Sequence, residues 1–334
     1  MSMSKANVVY HGHCFDGMCS AAACTRLLRE LEGISEFSYN GVDHQPGGSH
    51  VPDSLLSEAI NAVVDFRYSL SPKLTYWFDH HETGLMGEEE RAHYEADATG
   101  RKHFDPSYGS CCQLIADRAR THFNVDMSLL ADMVSWADVI DAARFPSAEA
   151  AVSLEPPAMQ LMTVLEVHGH TRFVAPRIGE LSRGAPLADL AKHTRVQRLL
   201  APLRKSHERQ CEVMREKGQL DAAVVTFDLV GSGQERYNKF IPYWLFPHCQ
   251  YSVAVTAGRT RAKVSVGSNP WALQPRAHNV AAICARYGGG GHPVVGAVSL
   301  KPDQLQRARE IAAEIVAELR GGDADGRAVE DGGA

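Results

Sequence analysis

Leu74-Thr75-Tyr76-Trp77-Phe78-Asp79-His80-His81 is the stretch on which the fold turns. Its first five residues are apolar, aromatic or β-branched, the pattern of a buried strand. A carboxylate and two imidazoles follow at the strand's end. Open α/β sheets bind their ligands there, beyond the carboxyl ends of the strands. Mixed oxygen and nitrogen donors suit hard to borderline divalent ions, Mn²⁺ foremost, with Mg²⁺, Co²⁺ or Zn²⁺ also accommodated. One such triplet equally describes a loop with two solvated histidines. The metal reading gains weight because acidic or His-rich segments recur three more times.

Upstream, Asn7–Tyr10 reads as a short strand ending in His11-Gly12-His13-Cys14-Phe15-Asp16-Gly17. Residues 18–31 then carry Ala21, Ala22, Leu27, Leu28 and Leu31 at helical spacing. The His/Cys/Asp cluster therefore sits in a strand-to-helix turn. Gly17 permits close backbone approach in that turn. An N-cap role would account for Asp16, but not for two histidines and a cysteine before it. Residues 60–64, Ile-Asn-Ala-Val-Val, form the next strand, which ends in Asp65. Downstream, residues 109–123 and 129–143 read as helices. The second carries Asp132, Asp138 and Asp141 in an otherwise apolar segment. A carboxylate buried in such a segment needs an ion partner or a metal.

With 334 residues, the chain is long enough for two domains with their own cores. No apolar run approaches the roughly 18 residues that span a bilayer. The first residues lack the apolar core of a signal peptide, so a cytoplasmic protein is expected. The eight cysteines form no CxxC pair, which favours reduced thiols. The net charge of −6 argues against a long duplex gripped by its phosphates. A small phosphorylated ligand or a short single strand fits better.

Domain boundaries are expected at 1–190 for a metal-binding unit and 191–218 for a polar helical connector. A substrate-binding unit follows at 219–320, with a disordered tail at 321–334. The second unit reads as strands at 222–227, 251–256, 262–266 and 297–300. Helices are expected at 279–287 and from 303 to about 319. Between the first helix and the last strand lies Gly288-Gly289-Gly290-Gly291-His292-Pro293. Four glycines strip the backbone of side chains, so its N–H groups can approach an anion, with His292 as a further donor. Arg259, Arg261 and Lys263 share one parity and hence one strand face.

His11, His13, Asp16, Asp65, His80, His81, Asp138 and Asp141 together are enough for two divalent cations. Such a pair, about 4 Å apart, lowers the pKa of a water and clamps phosphoryl oxygens. No Gly-x-Ser-x-Gly elbow, Walker loop or His-Glu-x-x-His is present. Metal-assisted hydrolysis is the chemistry that remains.

Asp79-His80-His81 and Gly288-Gly289-Gly290-Gly291-His292, in this order, resemble the two signatures of the DHH phosphoesterase superfamily, in the branch with a C-terminal DHHA1 domain. The resemblance covers about residues 5–320. It implies an α/β protein with a mostly parallel N-terminal sheet, helices on both of its faces, a smaller mixed α+β second domain and an active site in the cleft between them. It further implies two Mn²⁺ ions, with Mg²⁺ or Co²⁺ as substitutes, and a small nucleotide or short single-stranded oligonucleotide as substrate. By position, Asp16 matches the second acidic residue of the first motif, and Asp65 matches the bridging aspartate. His80 matches the metal-binding histidine, with Asp79 and His81 as catalytic candidates. Asp138 matches the fourth-motif aspartate, with Asp141 as the alternative. The first motif departs from the family pattern: Tyr10 and Cys14 stand where a histidine and an aspartate are usual. His11 or His13 supplies the histidine, and Cys14 is a candidate thiolate ligand. Gly289, Gly290, Gly291, His292, Arg261 and Asn269 are the substrate-binding candidates. The expected activity is hydrolysis of a phosphodiester or phosphomonoester. The alternatives are pyrophosphate or polyphosphate hydrolysis and a non-catalytic nucleotide sensor. A homodimer is compatible with all of these, and no membrane partner is expected.

Overall fold

A computed structural model of the chain describes residues 5–43 and 50–321. It divides into two compact units, Met1–Phe145 with Leu154–Leu203, and Pro146–Ser153 with Arg204–Ala334. The expected tail falls almost wholly at 322–334, outside the described residues. No helix among the described residues is long and apolar enough to cross a membrane.

The first unit opens with β1 (Lys5–His11), α1 (Phe15–Glu32) and β2 (Glu36–Val42). It continues through β3 (Ile60–Val64), β4 (Tyr76–Asp79), α2 (Glu88–Glu95), β5 (Lys102–Phe104), α3 (Cys111–Thr121) and α4 (Ala131–Asp141). The five strands form one parallel sheet in the order β2-β1-β3-β4-β5. Chain order reverses between β1 and β3, so the switch point of the sheet lies at their carboxyl ends, where such folds bind ligands.

Alternation along the strands sorts their side chains onto two faces. Val8, Tyr10, Ala62, Val64, Tyr76 and Phe78 pack with α1, α3 and α4 in one core. Val9, Val63 and Trp77 face a second cluster with Val51, Leu56, Phe66, Tyr68 and Leu74. Tyr94 of α2 packs against that second cluster, so helices cover both faces. Small residues Ala21, Ala22 and Ala23 let α1 lie close to the sheet, all fully buried. Gly33 ends α1 in the left-handed region at φ 66°.

After α5 (Ala148–Val152), which belongs to the second unit, α6 (Pro157–His168), α7 (Thr171–Leu181) and α8 (Leu187–Lys192) extend the helical side of the first. The proline-rich stretch before 190 is thus helical. Pro156 precedes α6 with Pro157 at its first position, where no intrahelical N–H is lost. Pro176 lies inside α7, which is held by burial of Phe173, Val174, Ile178 and Leu181. The expected connector is two helices, α8 and α9 (Thr194–Lys217), separated at His193, whose backbone is extended at ψ 131°. The division of the chain falls within α9, after Leu203, not at its ends.

In the second unit, β6 (Gln219–Asp221), β7 (Val224–Asp228), α10 (Ile241–Leu245), β8 (Tyr251–Ala257), β9 (Ala262–Ser268), α11 (Val280–Ala285), β10 (Gly290–His292), β11 (Val295–Leu300) and α12 (Leu305–Arg320) follow. The six-stranded sheet runs β10-β11-β9-β8-β7-β6, antiparallel except at β7–β8. Val253, Val255, Val264, Val266 and Val298 face Ile311, Ile315 and Leu319 of α12 and Ile283 of α11.

Candidate metal centre

The carboxyl ends of β1, β3 and β4 bring His11, Asp65 and Asp79 side by side, because these are neighbouring parallel strands in the matching register Tyr10–Val64–Phe78. Asp16 joins them from the first turn of α1. That turn is drawn against the end of β1 closely enough that a Cβ on Gly17 would lie 2.1 Å from the His11 carbonyl oxygen. Only glycine fits there. Asp16 is 1% exposed, and its two oxygens accept the Cys111 and Cys112 N–H groups at 2.7 and 3.0 Å. These are orphan donors of the N-terminus of α3, which favours a negative charge.

Asp65 is also 1% exposed and takes a left-handed backbone at φ 55°. Its N–H is tied to the Phe78 carbonyl at 3.0 Å. Neither of its carboxylate oxygens has a hydrogen-bond partner among the described residues. His11 Nδ1 lies 3.4 Å away, His80 Nε2 3.6 Å and His81 Nδ1 3.8 Å. Burial, followed by the charges of Asp16, Asp141 and Asp79, pushes the Asp65 carboxyl far above the ordinary range. A buried carboxylate ringed by three others is costly unless a cation joins it.

His80 is oriented as metal-binding histidines are. Its Nδ1 is 3.0 Å from the Tyr108 carbonyl, which can only accept, so Nδ1 carries the proton. The opposite nitrogen, Nε2, is then a bare lone pair without a hydrogen-bond partner among the described residues. It points among Asp141, Asp65 and Asp16 at 3.3, 3.6 and 3.8 Å. His81 is held by Asp79, whose Oδ1 accepts from its ring Nδ1 at 2.8 Å and from the main-chain N–H groups of His80 and His81. Burial disfavours a charged His81 ring, but the Asp79 hydrogen bond and the charges of Asp79, Asp141 and Asp16 outweigh it and raise its pKa. Asp79 is fully buried, and a Cβ on Gly84 would meet its other oxygen at 2.4 Å.

Three sets of donor atoms each lie within 4.8 Å of one another: His11, Cys14 and Asp65; Asp65, His80 and His81; Asp16, His80 and Asp141. Shared members link the sets into one centre. The buried, unpartnered donor atoms of Asp65 and His80 fit divalent cations, and the mixed O/N/S donors are of the kind that bind them.

Not every candidate joins the centre. Asp141 enters it, whereas Asp138 is paired with Arg144 at 2.9 and 3.1 Å. The two are three residues apart on α4, about 60° off the same direction. His13 takes φ 52° and turns to Asp43, with Nδ1 3.0 Å from Oδ1. It lies in none of the three sets, and the first-motif histidine among them is His11. The side-chain amide of Asn269 donates to the Pro247 and Cys249 carbonyls, and its oxygen accepts from Trp271, so it serves the fold of its own loop. Arg261 is exposed at the start of β9, beside half-buried Lys263. Gly290, Gly291 and His292 form β10, the exposed edge strand of the second sheet. Gly289 and Gly291 are required there, since a Cβ on either would lie 2.2 Å from a carbonyl oxygen of β11.

No model of a known protein family matches the chain, and no curated protein does. Solved structures do match. A pGpG-specific phosphodiesterase, PggH from Vibrio cholerae, aligns with 96% of this chain and 100% of its own at TM-score 0.68 and 16% identity. A DHH domain from a member of a family of ribosomal proteins covers 96% of this chain and 88% of its own, at TM-score 0.55 and 12% identity. The exonuclease RecJ bound to manganese covers 94% and 90%, at TM-score 0.53 and 13% identity. These likenesses span both units, and the Asp-His-His triplet lies at the end of β4. The chain has the two-unit fold of these proteins.

Proposed function

We propose that the protein is a divalent-metal-dependent phosphoesterase acting on a small nucleotide or short single-stranded oligonucleotide. The observation that carries this is the convergence of Asp16, Asp65, Asp79 and Asp141 with three imidazoles at the sheet's switch point, where Asp65 and His80 offer donor atoms that nothing among the described residues satisfies. Cations would relieve the repulsion within such a cluster, and open α/β sheets bind their ligands at this end of the strands.

Divalent ions held there would neutralise charge on the phosphoryl oxygens and make water a better nucleophile. Mn²⁺ suits the all-oxygen-and-nitrogen set of Asp16, His80 and Asp141. The chain's own part is positioning. The N-terminus of α3 fixes Asp16, and the Tyr108 carbonyl fixes the tautomer of His80. Asp79 holds His81 by Nδ1, which leaves Nε2 to donate to a phosphoryl or leaving-group oxygen. The Asp79 hydrogen bond favours the charged His81 ring, in which Nε2 carries a proton. Preorganised donors aimed at developing charge are the largest single source of rate in such reactions.

The likeness to a phosphodiesterase of the linear dinucleotide pGpG supports a short linear substrate over pyrophosphate or polyphosphate. The test is turnover with Mn²⁺ on pGpG, short RNA, cyclic dinucleotides, adenosine 3′,5′-bisphosphate, pyrophosphate and polyphosphate. Release of mononucleotide or phosphate from the short linear substrates is expected. Hydrolysis of pyrophosphate or polyphosphate alone would overturn the substrate class. Nucleotide binding without product from any substrate would make the protein a sensor.

A further inference from the structure

One corner of the centre differs in kind from the rest. The donor atoms of His11, Cys14 and Asp65 lie within 4.8 Å of one another, so they comprise an imidazole nitrogen, a sulfur and a carboxylate oxygen. The set of Asp16, His80 and Asp141 has no sulfur. Cys14 is placed by its backbone: it is the N-cap of α1, with φ −119° and ψ 138°, between left-handed His13 and the glycine-tight first turn. There no side-chain capping bond draws its sulfur toward the helix, and the sulfur lies with the donor atoms of His11 and Asp65.

Independent of the thiol, Asp65 supplies the second mark of a ligand. It is nearly fully buried, and both of its oxygens lack a hydrogen-bond partner among the described residues. The other cysteines nearby are not in this position. Cys111, for example, donates its S–H to the Phe78 carbonyl at 3.2 Å, and only Cys14 belongs to a metal-ligating set among the described residues.

We infer that His11, Cys14 and Asp65 form a thiolate position that selects a borderline-soft divalent ion, Zn²⁺, Co²⁺ or Fe²⁺, over Mn²⁺ and Mg²⁺, so that the centre holds two chemically different ions. This rests on the metal-dependent reading above and refines which ion sits where. Nitrogen, oxygen and sulfur sites in general bind the later first-row ions more tightly than Mn²⁺, and a soft thiolate adds to that preference beyond what carboxylate and imidazole supply. Binding exchanges the thiol proton for the metal, so one proton leaves Cys14 as the ion enters.

Co²⁺ titration of the metal-stripped full-length protein tests this by absorption, without reference to turnover. The wild type is expected to develop the near-ultraviolet thiolate-to-cobalt charge-transfer band, saturating at one ion per chain. In Cys14→Ser and Cys14→Asp the band is expected to vanish while one ion still binds at the remaining position. In Zn²⁺/Mn²⁺ competition, Cys14→Asp is expected to lose about tenfold or more of the wild type's preference for Zn²⁺ at that position. Stoichiometric Co²⁺ binding without the band, or unchanged Zn²⁺ preference in Cys14→Asp, would overturn the thiolate position and leave the metal-dependent function standing. Failure of the wild type to bind any of these ions would overturn both. Far-ultraviolet circular dichroism of each variant, together with its retained second ion, separates ligand loss from misfolding.

Discussion

Replacing Asp65 by asparagine sets the two faces of this centre against each other. In the metal-free protein the Asp65 carboxylate is buried, lacks hydrogen-bond partners among the described residues and lies close to Asp16, Asp79 and Asp141. Asparagine keeps its shape, tolerates the left-handed backbone at φ 55°, and removes one of the repelling charges. Its new amide N–H groups can donate to the neighbouring carboxylates, and a hydrogen bond to a charged group is worth about 1.5–3 kcal/mol, so Asp65→Asn should stabilise the chelated protein by about 1–2 kcal/mol. For a unit of this size, that is a rise of about 2–8 °C in the Tm of the first unit. With a divalent ion at 100 times its Kd, the wild type should gain about 2.7 kcal/mol, and the variant far less, so the order of stability reverses. Turnover should fall by about 10²–10³-fold, the range for losing preorganised charge stabilisation. Scanning calorimetry with chelator and then with Mn²⁺ reads the crossover. In a Trp244→Phe, Trp271→Phe background, fluorescence of Trp77 and Trp136 assigns the transition to the first unit. A variant less stable than wild type in chelator, or one with an undiminished metal-induced shift, would refute the reasoning that Asp65 is a charge held for a cation.

Asp141→Asn should lower metal occupancy by one ion per chain in elemental analysis. Asp138→Asn should leave occupancy unchanged and cost less than about 1 kcal/mol, since it breaks only the partly exposed pair with Arg144. His103 is half-buried beside His122 and stacked on Phe78 at 5.3 Å, and its pKa is lowered to about 4 by burial, then by His122. The unfolded chain takes up that proton near pH 6.5 and the folded one does not until about pH 4, so stability should fall as pH drops through this window. The loss should be about 1–2 kcal/mol after discounting for solvent screening, and His103→Gln should flatten it in denaturant titrations. His292→Ala should leave metal content intact. It should lower kcat/KM by about ten- to hundred-fold on a nucleotide, as for losing a hydrogen bond to a charged group, and by less on a minimal aryl phosphate; equal losses would assign His292 to chemistry or folding.

The elements that position the site were legible because burial and chemistry coincide in them. Ile60–Val64 and the run into Asp79 are buried central strands, and such strands read as unbroken apolar segments. The edges were not legible. β2, Glu-Phe-Ser-Tyr-Asn-Gly-Val, is half-exposed and polar, and its Ser38 and Asn40 side chains bond to Asn7 across the strand pair. β5 has three residues and β10 is made of glycines and a histidine, so neither carries a period to detect. The choice between Asp138 and Asp141 was open for a different reason. Both lie on α4 with similar neighbours, and only Arg144, three residues past the helix end, turns one of them outward. The ion pair is a short-range signal that the spacing of apolar residues does not contain.

The same distinction explains why the first motif resists pattern matching while its geometry does not. In a strand-to-helix turn, the backbone decides which side chains reach the switch point. Here His13 and Asp65 both adopt left-handed conformations, at φ 52° and 55°. Turning at His13 rotates its ring out to Asp43 and returns the chain so that Cys14 caps α1. A histidine at 11 and a cysteine at 14 then occupy the inward places, although neither stands where the superfamily's usual residue would. Backbone strain at two non-glycine residues costs about 1–3 kcal/mol each and persists only where the surroundings compensate for it. Here it aims a thiol, an imidazole and a carboxylate at one point, an arrangement that is unfavourable until a cation arrives.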